Sequence, residues 1–447
     1  MSLFGTNGVR GDAEKLFTNE FCFDIGATFG KFLLKKDKRG KLVVGMDPRQ
    51  SSQRIKMSFL QGLLTTASWE LLDEGIIPTP CLNYFIIKKH LAGGMMISGS
   101  HIREELNGIK FFINEEEITK DNEKEIEKIY FQSKTKQKYN PQKINLESDG
   151  EAKEAYLELL RSLAKPPYPS WKIVVDAGNG TQSLIIPRLF EGLGFEVVKI
   201  NCDLKKEMIV RDMEVSDAFK EVTQIVKKEK ANFGIALDSD GDRIIFFDEK
   251  GNSIPGEYSC SLIAKDSTSD SIVTPINTSS VVEHLGKMVI RTKVGVLYVV
   301  EAMKQHKARF GFESNGGGIS GEIFYGRDGG TTLIKMLNLL KKEKRTLSQL
   351  VNSLPQFFIF KEKVDCPRKL NKIILKKAEE VFKGMKIEKI DGLKIWINSE
   401  NWILFRPSGN APEFRVFAEA KNEKTARKLG EEGLKLVKEV IKKNEVR

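Results

Sequence analysis

No stretch of this chain reaches the roughly 18 uninterrupted apolar residues that a membrane-crossing helix needs. Its opening, MSLFGTNGVRG, lacks the basic-then-apolar pattern of a secretion signal. Cysteine is scarce as well: there are five in 447 residues, at positions 22, 81, 202, 260 and 366, and none forms a CxxC pair. Such scattered thiols argue against a disulfide framework or a zinc site and fit reduced, mostly buried side chains. Nor is positive charge gathered into a block. The net charge is +11, yet the lysines are mixed with glutamates, as in Lys341-Lys342-Glu343-Lys344-Arg345 and in residues 431–447. Runs of that kind are solvated helix faces, so nucleic-acid binding is not expected. A positive bias suits an anionic small substrate instead, because it draws phosphate in. The expectation is a cytoplasmic protein with no membrane or nucleic-acid partner.

Apolar residues make up 40% of the chain, in short β-rich runs that alternate with longer amphipathic segments. That is the pattern of α/β architecture, at a length that implies about three or four domains. Three runs look alike: KLVVGMD (41–47), KIVVDAGNG (172–180) and SIVTPINTS (271–279). Each reads as a buried strand ending in a turn, which hints at three related units. A second set of strands ends in polar loops: GGMMISGSH breaks at Ser98, FGIALDSDGDR at Asp238 and ARFGFESNGGG at Glu313. Ligands gather beyond the carboxyl ends of strands in open α/β sheets, so these loops are the places to look. Linkers are expected at 139–143, at 165–170 (KPPYPS) and around 354–361, and a smaller α+β domain is expected after Lys361.

The strongest motif is Asp238-Ser239-Asp240-Gly241-Asp242-Arg243. Carboxylates at alternate positions of a tight loop can converge on one hard cation, magnesium or calcium. An EF-hand would need glycine at its sixth position, where Arg243 stands, and 244–247 reads as a strand. A solvated acidic turn is the plainer alternative. The second motif, Ser98-Gly99-Ser100-His101 followed by Asn107-Gly108-Ile109-Lys110, offers a serine nucleophile with a lysine and a histidine for protons and phosphate charge. By itself it could be an ordinary serine-glycine turn, with His101 capping a helix. In Gly311-Phe312-Glu313-Ser314-Asn315-Gly316-Gly317-Gly318 the glycines allow close backbone approach, and Glu313 and Asn315 can bond sugar hydroxyls. In Arg406-Pro407-Ser408-Gly409-Asn410-Ala411-Pro412, with Arg415 nearby, arginine, hydroxyl and backbone N–H groups make an anion nest. Glycines flanking Arg10 near the start suggest a cation presented to an anionic centre.

In this order the motifs resemble the α-D-phosphohexomutase superfamily, which includes phosphoglucomutase/phosphomannomutase and phosphoglucosamine mutase. FGTNGVRG resembles the family's FGTxGxRG, Gly45-Met46-Asp47-Pro48-Arg49-Gln50-Ser51-Ser52 its GRDxRxSS, and Ile77-Pro78-Thr79-Pro80 its PTP turn. LDSDGDR matches the DxDxDR loop in full. GFESNGG with Gly326-Arg327-Asp328-Gly329 is similar to GEENGG…GRDG, and RPSGNAPEFRVFAEA to RPSGTEPxxRxxxEA. The resemblance implies a four-domain phosphohexomutase architecture around a central cleft, with three related α/β domains of mixed sheets and a C-terminal α+β domain. The corresponding spans are 1–150 with a phosphoserine loop, 151–252 with a metal loop, 253–358 with a sugar loop and 359–447 with a phosphate loop.

It further implies that phosphorylated Ser100 interconverts a hexose 1-phosphate and 6-phosphate through a bisphosphorylated sugar, with the bisphosphate as activator. One Mg²⁺ per chain would be held by Asp238, Asp240, Asp242 and an oxygen at Ser100. Arg10, Arg243 and Lys110 would offset charge, and Lys110 or His101 would act as base. Glu313, Ser314 and Asn315 would meet the sugar. Arg406, Ser408, Gly409, Asn410 and Arg415 would hold the phosphate that is not reacting, in a monomer or homodimer.

The chain departs from the pattern in three places. The family's TASHNP reads Ser98-Gly99-Ser100-His101-Ile102-Arg103, which loses the Asn-Pro and adds a cation near the transferring phosphate. Asn410-Ala411 stands for Thr-Glu, and Ile209 to Val215 replaces a proline-rich FPxRxPEP segment. These changes leave open a second reading, a weakened member that binds sugar phosphates without efficient turnover. The sugar is open too. Glucose, mannose and glucosamine phosphates share the 3- and 4-hydroxyls that Glu313 and Asn315 would meet, and a pentose phosphate is conceivable.

Overall fold

The computed structural model describes residues 3–5, 8–132, 139, 144, 146, 150–409 and 412–445. One plan recurs in its first three sheets. A central strand (Lys41–Met46, Lys172–Asp176, Ser271–Pro275) pairs in parallel with the strand that follows it (Glu70–Ile76, Glu196–Ile200, Met288–Thr292). On its other side it pairs, again in parallel, with a third (Gly93–Ile97, Phe233–Leu237, Phe310–Phe312). The third strand turns back into an antiparallel neighbour: Leu106–Ile113, Ile244–Phe247 or Gly318–Ser320. An outer antiparallel strand completes each sheet, drawn from the N-terminus in the first (Val9–Asp12) and from the chain ahead in the others (Ser253–Ile254, Arg327–Asp328). In the first sheet Glu116–Glu117 also pairs with Leu106–Ile113.

The three look-alike runs of the sequence are therefore the three central strands, and the strands with polar endings are the three third strands. Parallel pairing demands crossovers, and helices such as Ser52–Leu64 supply them. These strands read as continuous apolar runs because their residues are buried: Gly93–Ile97, Phe233–Leu237 and Ser271–Pro275 are buried throughout. The topology leaves the loops after Ile97, Leu237 and Phe312 at equivalent carboxyl ends.

One hydrophobic core runs through all three units and holds those ends in register; it includes Val43 and Phe85, Tyr156 and Ile235, and Phe310 and Leu333. Burial of that much apolar surface fixes the loops' roots far more firmly than the loops' own bonds could.

The fourth sheet is wholly antiparallel, in the order Phe358–Asp365, Glu413–Ala420, Trp402–Pro407, Leu393–Trp396, Lys386–Glu388. Helices Asn371–Val381 and Glu423–Glu445 cover it, with a separate core around Ile374, Ile403 and Val437. It meets the third unit through Ile276 packed on Trp402, Leu404 and Phe417.

Residues 165–170 form no helix or strand, as expected of a linker. The linker expected at 354–361 is shorter, because Phe358 already starts a strand whose backbone pairs with Ala420 and Glu419. Of the linker at 139–143, all but Tyr139 lies outside the described residues. Among the described residues no helix is long and apolar enough to cross a membrane. All five cysteines are free, and four are buried.

Candidate active site

Ser100 sits on a turn that its neighbours hold rigidly. Its φ is +52°, in the left-handed region that a non-glycine residue enters only when the surroundings impose it. The imposing groups come from the central strand's end. Asp47 accepts from Ser98 Oγ at 2.8 Å and Gly99 N at 3.1 Å. Arg49, paired with Asp47 at 3.1 Å, donates to the carbonyls of Ser100 (2.7 Å), Ile102 (2.8 Å) and Arg103 (3.0 Å). A methyl group on Gly99 would lie 2.6 Å from the Arg49 guanidinium, which is why the turn needs glycine there. No helix begins at His101, so it caps none.

The acidic loop meets this turn from the second sheet. Gly241, at φ +71°, lets the chain reverse so that Asp238, Asp240 and Asp242 face one point, with candidate ligand atoms all within 4.8 Å of one another. Ser100 Oγ donates to Asp238 Oδ2 at 2.9 Å, and Arg243 Nη1 lies 2.7 Å from Ser100 Oγ and 2.9 Å from Asp238 Oδ2. Ser239 Oγ donates to the Ser100 carbonyl at 2.6 Å. Lys110 Nζ reaches Asp240 at 2.6 Å and Asp242 at 3.3 Å, while Thr79 Oγ1 adds 2.7 Å to Asp240.

Asp240 Oδ1 and Asp242 Oδ1 are buried and accept no hydrogen bond. Two orphaned carboxylate oxygens in a buried, all-oxygen donor set are what a hard divalent cation would satisfy. The residues present fit Mg²⁺.

Charge is uneven across this cluster. Burial, together with Asp242 and Asp240, pushes Asp238 up to about 7. Burial also works to raise Asp242, but Arg327, Lys110 and Arg243 outweigh it and hold it well below the carboxylate range. Burial opposes the charge on Lys110, yet Asp240 and Asp242 keep its pKa above the ordinary lysine value. His101 lies beside Arg243, 2.7 Å from Nδ1 to Nη1, and that cation, with burial and Arg10, drives it well below its usual pKa. Arg10, on the strand facing Gly108, is lowered first by burial and then by Arg243, and its Nε has no hydrogen-bond partner.

The third sheet's loop joins through an arginine. Arg327 donates to Asp242 at 3.0 Å, to Glu313 at 2.9 Å and to Asn315 at 3.2 Å. Ser314 turns away, donating to Glu214 at 2.7 Å, and Glu214 also receives Lys361 at 3.4 Å. The fourth sheet's loop stands apart: among the described residues it has no hydrogen bond to the Ser100 turn or the acidic loop. Its strands place Arg406 directly opposite Arg415. Each has a carboxylate of its own, Asp391 at 2.6 Å from Arg406 and Glu413 at 3.6 Å from Arg415, and the two guanidinium groups together suit an anion. Ser408 N donates to the Glu413 carbonyl at 2.9 Å, and Arg368 approaches the Gly409 carbonyl at 3.4 Å. Asn410 and Ala411 lie outside the described residues.

Arg103 is not the extra cation near the serine that its position suggests: its side chain is 80% exposed and paired with Glu105 at 3.1 Å. Water and the neighbouring carboxylate draw it outward. The residue-by-residue reading of chemistry had no sign of Arg49, Thr79 or Arg327, although all three lie in motifs that carry the resemblance. Glu214 stands in the 209–215 segment, which the sequence marks only as a departure from the family pattern, and Asp391 had no sequence signal.

Residues 1–137, 154–251 and 255–358 match, respectively, the phosphoglucomutase/phosphomannomutase alpha/beta/alpha domains I, II and III. The chain is 35% identical to a phosphoglucomutase/phosphomannomutase of Thermococcus kodakarensis, over 98% of this chain and 99% of the relative. The chain belongs to the phosphoglucomutase/phosphomannomutase family. This family is one of phosphotransferase-type mutases, and its members include a phosphoglucosamine/phosphogalactosamine mutase of Sulfurisphaera tokodaii, 32% identical over 97% of this chain and 99% of its own. A family protein of Burkholderia thailandensis shares the fold, with a TM-score of 0.83 at 23% identity over 98% of this chain and 97% of that one.

Proposed function

We propose that the chain interconverts a hexose 1-phosphate and 6-phosphate through phosphorylated Ser100 and a bisphosphorylated sugar. The carrying observation is the direct contact of Ser100 Oγ with Asp238 of the acidic loop and with Arg243, at 2.9 and 2.7 Å. Asp238, Asp240 and Asp242, with an oxygen at Ser100, would hold Mg²⁺, which when bound neutralises charge on the transferring phosphoryl group. Phosphoryl transfer is catalysed mainly by positioning and electrostatics, and both are supplied here by fixed groups.

The phosphorus–Oγ bond of phosphorylated Ser100 breaks as the free sugar hydroxyl bonds to phosphorus. Arg243 and Arg10 balance the three phosphoryl oxygens. Lys110, kept charged by its two carboxylates, serves as a cation, and neutral His101 takes the hydroxyl proton, its Nδ1 released as Arg243 engages the phosphoryl oxygens. Glu313 and Asn315, oriented by Arg327, bind hydroxyls of the sugar. Arg406, Ser408, Gly409, Asn410 and Arg415 grip the distant phosphate. After the bisphosphate turns over, its other phosphoryl group returns to Ser100. Glucose, mannose, glucosamine and galactosamine phosphates are the substrates to try, following the relatives' names.

Intact-mass measurement after priming with glucose 1,6-bisphosphate should show a species heavier by one phosphoryl group in the wild type and not in Ser100→Ala. Activity on those four substrates should vanish with a chelator and return with Mg²⁺. A wild type that stays unphosphorylated and inert on all four would leave a sugar-phosphate binder in place of an enzyme.

A further inference from the structure

At the end of the second sheet opposite Asp238, a cavity of about 810 Å³ opens between helix Lys220–Glu229 and the end of helix Gly329–Glu343. Its size and its place at a seam between units are those of small-molecule sites. The floor is apolar and aromatic. Phe233, Leu340 and Leu347 are buried there, and half-buried Trp171 stacks on Phe195 at 5.7 Å and 23°.

The rim is cationic: Lys227, Lys230, Lys341, Lys344 and Arg345. Among the described residues Lys227, Lys230 and Lys344 pair with no carboxylate. Glu249, the one acid on the lining, is already taken by Thr346 Oγ1 at 2.9 Å and by Ser348. Lysines at helix ends are ordinary, since they complement the helix dipole. Lys341 donates to the Lys165 carbonyl at 2.6 Å and Arg345 to the Gln349 carbonyl at 2.7 Å. Three cations left beside an aromatic side chain, with the only lining acid engaged elsewhere, need a further reason.

We propose that this cavity binds a nucleoside polyphosphate: a flat ring against half-buried Trp171, phosphates on the lysine rim. The fold connects such a ligand to the active site by two rods. Strand Phe233–Leu237 begins at the cavity and runs directly into Asp238. Helix Gly329–Glu343 begins beside Arg327 and ends at the cavity, a length of roughly 22 Å at about 1.5 Å per residue. A ligand bridging Lys230 of the second unit and Lys344 of the third draws together the two units that also meet at Asp242 and Arg327, 3.0 Å apart.

The test is calorimetric titration of the full chain with ATP, tripolyphosphate and adenosine at physiological salt. ATP should bind at least about tenfold tighter than either fragment, and saturating glucose 1,6-bisphosphate should not displace it. Lys230→Asn with Lys344→Asn should weaken ATP by about tenfold or more; asparagine suits the φ of +49° and +52° at these positions. Trp171→Leu should weaken it as well, and if that variant fails to fold the lysine pair still decides. Absence of ATP binding, displacement by the bisphosphate, indifference to the lysine pair, or tripolyphosphate binding as tightly as ATP would each overturn the proposal. Binding is read directly, so the outcome does not depend on whether the chain turns over any sugar phosphate.

Discussion

Asp391 holds Arg406: its Oδ2 receives the Arg406 Nε at 2.6 Å and, at 3.1 Å, the backbone N–H of Val294 in the third unit. Arg406 is 8% exposed, yet its terminal amines have no other partner among the described residues. A guanidinium pinned through Nε presents a planar fork suited to phosphate. Asp391→Asn should raise KM for the sugar phosphate about tenfold, or about 1.4 kcal/mol, and leave kcat within about threefold. Inhibition by inorganic phosphate should weaken in parallel. If neither constant moves, Asp391 only braces the seam.

Arg49 predicts a different split. It closes three carbonyls of the serine turn and the Asp47 carboxylate with one planar group, which the point charge of lysine cannot reproduce. Arg49→Lys should lower kcat about 100-fold, the order expected when a nucleophile drifts by about 1 Å. Mg²⁺ affinity, measured calorimetrically, should fall far less than kcat, because only the Ser100 oxygen rests on that turn and the three aspartates do not touch Arg49. A kcat within about threefold of wild type would show that the turn keeps its shape without the fork.

What the sequence made legible was whatever is local along the chain. Each functional loop is a contiguous string after an apolar run, so the strand's burial and the loop's polarity both register in one window. The three repeated runs were legible as units for the same reason: one topology requires one buried central strand each time. What stayed hidden depends on residues far apart in sequence. Thr79 reaches Asp240, Arg327 reaches Asp242, and Ser314 turns from Glu313 and Asn315 to Glu214. Asp391 follows an ordinary surface helix and strand and shows its role only when Val294 and Arg406 arrive beside it. Arg103 illustrates the opposite error, since adjacency to a nucleophile says nothing about which way a long side chain points.

Gly317 ties the glycine-rich loop of the third sheet to the acidic loop by closeness alone. Its φ is +80°, and a Cβ there would stand 2.2 Å from the Asp242 carbonyl oxygen and 2.8 Å from Arg327 Cγ. Backbone cannot yield as a flexible side chain can. Gly317→Ala should therefore push the loop off Asp242, costing about 1–2 kcal/mol from the left-handed conformation alone. KM for sugar should rise about tenfold or more, while the serine still accepts phosphate from the bisphosphate. Full retention of both Tm and KM would mean the two loops can separate freely.

Lys394 gives the seam between the third and fourth units a pH dependence. Its ammonium lies 4.1 Å from the Trp402 ring and 4.8 Å from Trp396, and donates to the Ile276 carbonyl at 3.2 Å. Burial, reinforced by Arg291, pushes it from the ordinary lysine value of 10.5 to about 7, although Glu283, Glu419 and Glu388 pull the other way. Between those two values the unfolded chain binds the extra proton and the folded chain does not. Stability therefore rises with pH across that window, by at most about 1.36 kcal/mol per unit. Below about pH 7 both states carry the proton and the full cost of burying the charge is present. Lys394→Met removes the titration while roughly conserving volume. The Tm of wild type minus that of the variant should climb from pH 7 to pH 10 and flatten below. A difference constant across this range would show that the two indole faces compensate the buried charge fully, leaving a lysine that titrates as it does in water.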